Sequence, residues 1–144
     1  MRAKIVPQKK VSFDFDETLE FKPIMEYARE LIDRGIEVWI VTSRFGNDEL
    51  YKRFFHTSTN VDLTNRDLWE VANNLGIPEE RVHFTNKDNK WHFIKDKGFI
   101  WHLDDDYEEN KLILKHCAPT KAIGAFNNPK WRWKCEKILK KAEI

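Results

Sequence analysis

Short apolar runs alternate along the chain with segments whose apolar positions recur every three or four residues. The runs at 11–15, 37–42, 81–85, 99–103 and 121–125 predict five strands. Between them the pattern predicts helices. The segment 23–34 has Pro near its first turn and Gly35 just past its end, the usual asymmetry of helix termini. Helices follow at about 48–56 and 65–75, the second stopped by Gly76 and Pro78. Others are expected at 90–97 (closed by Gly98), at 108–116 and from about 129 onward. Strands separated by helices make βαβ units. The expected fold class is therefore α/β: a three-layer α/β/α sandwich around a mainly parallel, Rossmann-like five-stranded sheet. Runs rather than strict alternation suit strands covered on both faces.

Composition adds bounds to this picture. The chain has 144 residues, the size of one domain, and 41% hydrophobic residues with ten Phe and six Trp supply a core. Charged residues reach 34%, but 25 Lys and Arg against 24 Asp and Glu leave a net charge of +1. That balance gives no global pull toward nucleic acid or an anionic membrane, although local patches can still act. No apolar run approaches the roughly 20 residues of a membrane span, and the N-terminus lacks a signal-peptide core. Cys117 and Cys135 make neither a disulfide framework nor a zinc site. A single soluble, cytoplasmic domain spanning 1–144 is expected, with no linker or repeat and with no membrane as partner.

Ligands of open α/β sheets sit beyond the carboxyl ends of the strands. There the chain places Asp14-Phe15-Asp16-Glu17-Thr18 after the first strand, Thr42-Ser43-Arg44 after the second, Asn86-Lys87-Asp88-Asn89-Lys90 after the third and Asp104-Asp105-Asp106 after the fourth. Carboxylates gathered in a pocket each carry a desolvation cost of several kcal/mol and repel one another. A hard divalent cation relieves both, and Mg²⁺ takes one or two protein carboxylates together with substrate phosphate oxygens. With Asp16 protonated, one Mg²⁺ and one lysine balance Asp14, Asp104 and Asp105.

The ordered set Asp14-x-Asp16-x-Thr18, strand-terminal Thr42, a lysine and Asp104-Asp105 resembles the haloacid dehalogenase (HAD) superfamily of phosphohydrolases, over about 11–106. The resemblance implies an Mg²⁺-dependent phosphatase with Asp14 as nucleophile, forming an aspartyl-phosphate. Asp16 would be the general acid and base, and its carbonyl a metal ligand. Thr18 would brace the turn beside the substrate, and Thr42 would hold a phosphoryl oxygen. Asp104 would ligate Mg²⁺ with Asp105 in support. Ser43 and Arg44 are candidate substrate-binding residues. Lys90 is preferred as the active-site lysine because it opens a helix and precedes Asp104 by 14 residues; Lys87 is the alternative and a further substrate-binding candidate. An acid at position 16 points to phosphatases rather than to the family's C–halogen hydrolases. Glu17 departs from the family, which most often has Gly there.

The spacing between these motifs leaves no room for a cap domain. An open site admits a phosphorylated small molecule or a polymer end such as a nucleic-acid 3′-phosphate, with Arg44, Tyr51, Lys52, Arg53 and Phe54 as the nearest substrate-facing wall. A receiver domain also gathers acidic residues, Thr and Lys at strand ends, but without Asp-x-Asp-x-Thr. A HAD-like binding module without activity is the other rival. The five histidines lack metal spacing and are expected on the surface or in strands. Lys130-Trp131-Arg132-Trp133-Lys134 invites a nucleic-acid reading, yet Trp131, Cys135, Ile138 and Ala142 form a helical stripe expected to face the core.

Overall fold

A computed structural model describes residues 8–46 and 65–142. The helix expected at 48–56, with Tyr51, Lys52, Arg53 and Phe54, lies outside the described residues. In chain order the elements are β1 (Lys10–Phe13), α1 (Lys22–Asp33), β2 (Glu37–Thr42), α2 (Arg66–Leu75), β3 (Val82–Phe84), α3 (Trp91–Ile94), β4 (Trp101–Asp104), α4 (Tyr107–His116), β5 (Lys121–Gly124) and α5 (Trp131–Lys141). The five strands are parallel and ordered β3-β2-β1-β4-β5. The α/β sandwich expected from the pattern is the observed architecture.

Alternation within the strands separates two cores, because successive side chains point to opposite faces. Val38 and Ile40 join Val11, Phe13, Trp101 and Leu103 beneath α1, α2 and α5. Trp39 and Val41 turn the other way, toward Ile94 of α3, Ile113 of α4, Phe99 and Cys117. Trp101 anchors the first core: its ring stacks on Tyr27 at 6.4 Å and meets Phe13 edge-on at 5.3 Å, and its Nε1 donates to the Cys135 carbonyl.

Most strand ends shift by one or two residues from expectation, and three differences have a local cause. β1 stops at Phe13 because the chain bends into an irregular turn over Phe15–Leu19. α3 ends at Ile94 rather than near Gly98, since Lys95 is extended (ψ 132°) and Asp96 takes φ 60°. On α5 the inward stripe runs Trp131, Cys135 and Leu139 with Ile138, while Ala142 is exposed. Among the described residues no helix is long and apolar enough to cross a membrane, and no second unit stands over the strand ends.

Candidate active site at the carboxyl ends of the strands

β1 and β4 are neighbours in register, Phe13 beside Leu103, so the residue that follows each strand's apolar run arrives at the same place. The Asp14 N–H donates to the Leu103 carbonyl at 2.9 Å. Asp14 and Asp104 are both buried, an arrangement that needs a counter-charge. Lys90 supplies it. Its Nζ donates to Asp14 Oδ1 at 2.8 Å and to Asp104 Oδ2 at 2.6 Å, and it is as buried as they are. Lys87, the alternative, is exposed on the loop after β3. Lys90 is thus the lysine brought to the carboxylates, held at its backbone by the Glu109 carboxylate, which accepts its N–H at 2.8 Å.

The turn after β1 adds Thr18, fully buried, whose hydroxyl lies 3.3 Å from Asp14 Oδ2 and 3.4 Å from Asp105 Oδ1. Its place is beneath the carboxylates, bracing them, and not on a surface open to substrate. Glu17 sits at φ 59°, ψ 18°, the left-handed region that favours glycine. Its N–H donates to Glu20 Oε2 at 2.7 Å, which helps hold the turn closed.

Sequence reasoning passed over His102. In β4 it pairs across to Ser12 of β1, and both point to the same face as Asp104. His102 Nε2 lies 2.8 Å from Asp104 Oδ2, and its Nδ1 lies 2.8 Å from Ser12 Oγ. Complete burial lowers the His102 pKa against the pull of the Asp104 carboxylate, which favours the neutral ring. Since an ionised Asp104 only accepts, Nε2 carries the proton and Ser12 donates to Nδ1. The signal was a Ser and a His at inward positions of otherwise apolar strands.

These contacts divide the two aspartates. Burial pushes the Asp104 carboxyl up, but hydrogen bonds from His102 and Lys90, with the charge of Lys90, outweigh it and hold the group well below the usual carboxylate range. The Asp106 N–H adds a bond to Asp104 Oδ1 at 3.0 Å. Asp14 moves the other way, raised well above 3.8 by burial and by the charge of Asp104, which Lys90 only partly offsets. Burial raises Asp105 as well, and its carboxyl lies within hydrogen-bonding reach of Asp14.

Asp14, Asp104 and Asp105 each offer a carboxylate oxygen within 4.8 Å of the others. Lys90 offers one positive charge to three carboxyl groups, and an all-oxygen set suits a hard divalent ion. The residues therefore fit a metal of that class.

At the mouth stands an arginine clamp. Arg44 Nε and Nη2 grip Asp16 at 2.9 and 2.7 Å, and Nη1 and Nη2 grip Asp67 of α2 at 2.7 and 2.9 Å. Burial would lower the Arg44 pKa, but the hydrogen bonds to Asp67 and Asp16 more than reverse it. The partner of Asp16 in this structure is therefore the Arg44 guanidinium, a pairing the sequence did not indicate. Asp67 was not foreseen, because nothing in α2 alone ties it to position 44. Thr42 is buried and its Oγ1 accepts the Arg44 N–H at 3.2 Å, leaving its hydroxyl proton to donate. Ser43 contributes its carbonyl to the Lys87 N–H at 2.8 Å, tying the loops after β2 and β3 together. No protein-family model matches this chain, and no curated protein matches it either.

Proposed function

We propose that this chain is an Mg²⁺-dependent phosphomonoester hydrolase that works through an aspartyl-phosphate on Asp14. The observation that supports it most is the convergence of Asp14, Asp104 and Asp105 around the buried Lys90 ammonium at the strand ends. An Mg²⁺ ion held by those three aspartates would neutralise charge on the phosphoryl group.

Asp14 is the nucleophile: a carboxylate oxygen attacks phosphorus, and the bond from phosphorus to the ester oxygen breaks. Asp16, at the mouth, is the general acid: freed from Arg44 and carrying a proton taken from solvent, it passes that proton to the departing oxygen. It then takes a proton from the water that attacks the aspartyl-phosphate, releasing inorganic phosphate and restoring Asp14. For this Asp16 must leave Arg44, and a substrate phosphate entering beside it competes for the same guanidinium. Thr42 donates its hydroxyl to a phosphoryl oxygen, and Lys90 offsets charge between Asp14 and the phosphate. His102 and Thr18 keep Asp104 and Asp14 in position.

The test is phosphate release from an aryl phosphate with Mg²⁺ and with EDTA, using Asp14→Asn as control. Mg²⁺-dependent turnover that disappears in the variant is expected. Binding of beryllium fluoride with Mg²⁺, measured by calorimetry, should likewise require Asp14. Absence of both turnover and beryllium fluoride binding would overturn the proposal in favour of a binding module.

A further inference from the structure

Among the described residues, Tyr107, Phe126 and Trp133 carry large apolar side chains that are 73%, 76% and 58% exposed. Tyr107 and Trp133 belong to helices on opposite faces of the sheet, α4 packing through Ile113 and α5 through Cys135 and Leu139. Tyr107 opens α4, three residues beyond Asp104. Phe126 follows β5, whose Gly124 is in register with Asp104. Trp133 sits in the first turn of α5, just after the chain turns back from that edge.

Beside Trp133, a groove of about 370 Å³ runs between α5 and the edge strand β5, its floor formed by Ala122, Ile123 and Ile138 and its rim by Lys121, Lys134, Lys137 and Lys141. Gly124 and Trp133 mark its end near the carboxylates, and Lys121 and Lys141 its far end. Residues 130–141 hold six basic side chains and one acidic one in a chain whose net charge is +1. The acidic one, Glu136, is already engaged by Tyr27 and Arg34. Lys137 Nζ stands 4.9 Å from the centre of the Trp133 ring. The stretch read from sequence as core therefore divides: Trp131 packs inward against Tyr27, while Trp133 faces out among lysines.

We propose that this groove binds single-stranded nucleic acid, its lysines following the phosphates while bases stack on Trp133 and on Phe126 beyond its end, and that it leads a phosphorylated strand end to Asp14. Delivery to Asp14 rests on the phosphatase reading; binding in the groove does not. Lysines beside an exposed ring are the combination a sequence-tolerant single-strand site uses, because every base presents a stacking face. A bilayer cannot enter a groove, and the apolar side chains Cys135 and Leu139 of α5 are turned into the core. An acidic peptide would satisfy the lysines but leave Trp133 and Phe126 without a role.

The test is fluorescence anisotropy of a labelled single strand of about 12 nucleotides, without terminal phosphate and in EDTA, so that binding is read apart from chemistry. Four lysine–phosphate contacts should weaken binding about 50-fold between about 50 and 200 mM salt. The double variant Lys134→Ala/Lys137→Ala should halve the slope of log affinity against log salt, and Trp133→Ala should weaken binding by about fivefold or more. Both should hydrolyse aryl phosphate like the wild type. Failure to bind at about 50 mM salt, insensitivity to these substitutions, or equally tight binding of polyglutamate or phosphatidylserine vesicles would each overturn the groove assignment. A protein that hydrolyses aryl phosphate yet ignores the strand loses the groove and keeps the phosphatase. One that binds the strand without Mg²⁺-dependent turnover loses the phosphatase and keeps the groove.

Discussion

The same two central strands build opposite environments on their two faces. Toward α1, α2 and α5, β1 and β4 present Val11, Phe13, Trp101 and Leu103, all buried among other apolar side chains. Toward α3 and α4 they and the residue after β1 present Ser12, Asp14, His102 and Asp104, equally buried and joined by Lys90. Apolar burial gives the first face its stability without directional constraint. The second face is held by hydrogen bonds that fix each group, and well-packed apolar residues in place of such a network would often be as stable or more so. On these two strands apolar burial therefore dominates one face, and the buried charged groups are confined to the other, beside the second apolar core of Ile94, Phe99 and Ile113.

Substitutions on the two faces should differ in what rescues them. Trp101→Ala removes a fully buried ring with two aromatic neighbours and should cost about 3–5 kcal/mol. Urea unfolding with and without Mg²⁺ should show the loss unchanged by the metal. Lys90→Met should abolish turnover and cost about 3 kcal/mol, because it leaves Asp14 and Asp104 buried without a counter-charge. Here millimolar Mg²⁺ should restore part of the loss, since a cation among the carboxylates binds only the folded chain. Equal responses of the two variants to Mg²⁺ would erase the distinction between the faces.

Much of this division was legible in the sequence. Periodicity located the five strands because parallel strands covered on both faces read as apolar runs, and 37–42 matched to the residue. Asp14 and Asp104 were legible because charge at several strand ends has one place to meet in such a sheet, whereas the choice of Lys90 over Lys87 rested on the family resemblance and on its position at the start of a helix. What was not legible depends on lateral pairing. His102 matters because β4 lies beside β1 in a register that sets it against Ser12, and no local pattern encodes that register. Asp67 likewise meets Arg44 only through the packing of α2, and the outward turn of Trp133 depends on how α5 rotates against the sheet.

A smaller effect of opposite sign should come from Asp14→Asn. The wild-type carboxyl is raised by burial and by Asp104, so its ionisation opposes folding. The sign follows from linkage. Stability attached to a raised carboxyl is present below its unfolded pKa of 3.8 and declines as pH rises toward the folded value. Asn does not ionise, so the variant should be more stable by about 1 kcal/mol near neutrality, with a gain that grows as pH climbs from 3.8. Asp104, shifted the other way, loses stability on acidification in both proteins and largely cancels from the difference. Thermal unfolding in EDTA across pH measures this. A variant less stable than wild type at every pH would mean that the Asp14 carboxylate supports the polar face rather than straining it.

The smallest effect should come from the turn that links the two faces. Glu17 holds a left-handed conformation that costs an ordinary residue about 1–2 kcal/mol, whereas glycine adopts it freely. The Glu17 hydrogen bond to Glu20 comes from the backbone, so Glu17→Gly keeps it. Part of the gain is offset by the greater freedom of glycine in the unfolded chain, leaving about 0.5 kcal/mol of stabilisation and a rise in Tm of about 1–2 °C. The substitution also removes a negative charge from the mouth, so KM for a phosphate dianion should fall about twofold with kcat unchanged, and the difference should shrink in high salt. A lower KM that persists at high salt would locate the obstacle in the bulk of the Glu17 side chain, and a change in kcat would mean that the turn sets the position of Asp14 as well as its approach.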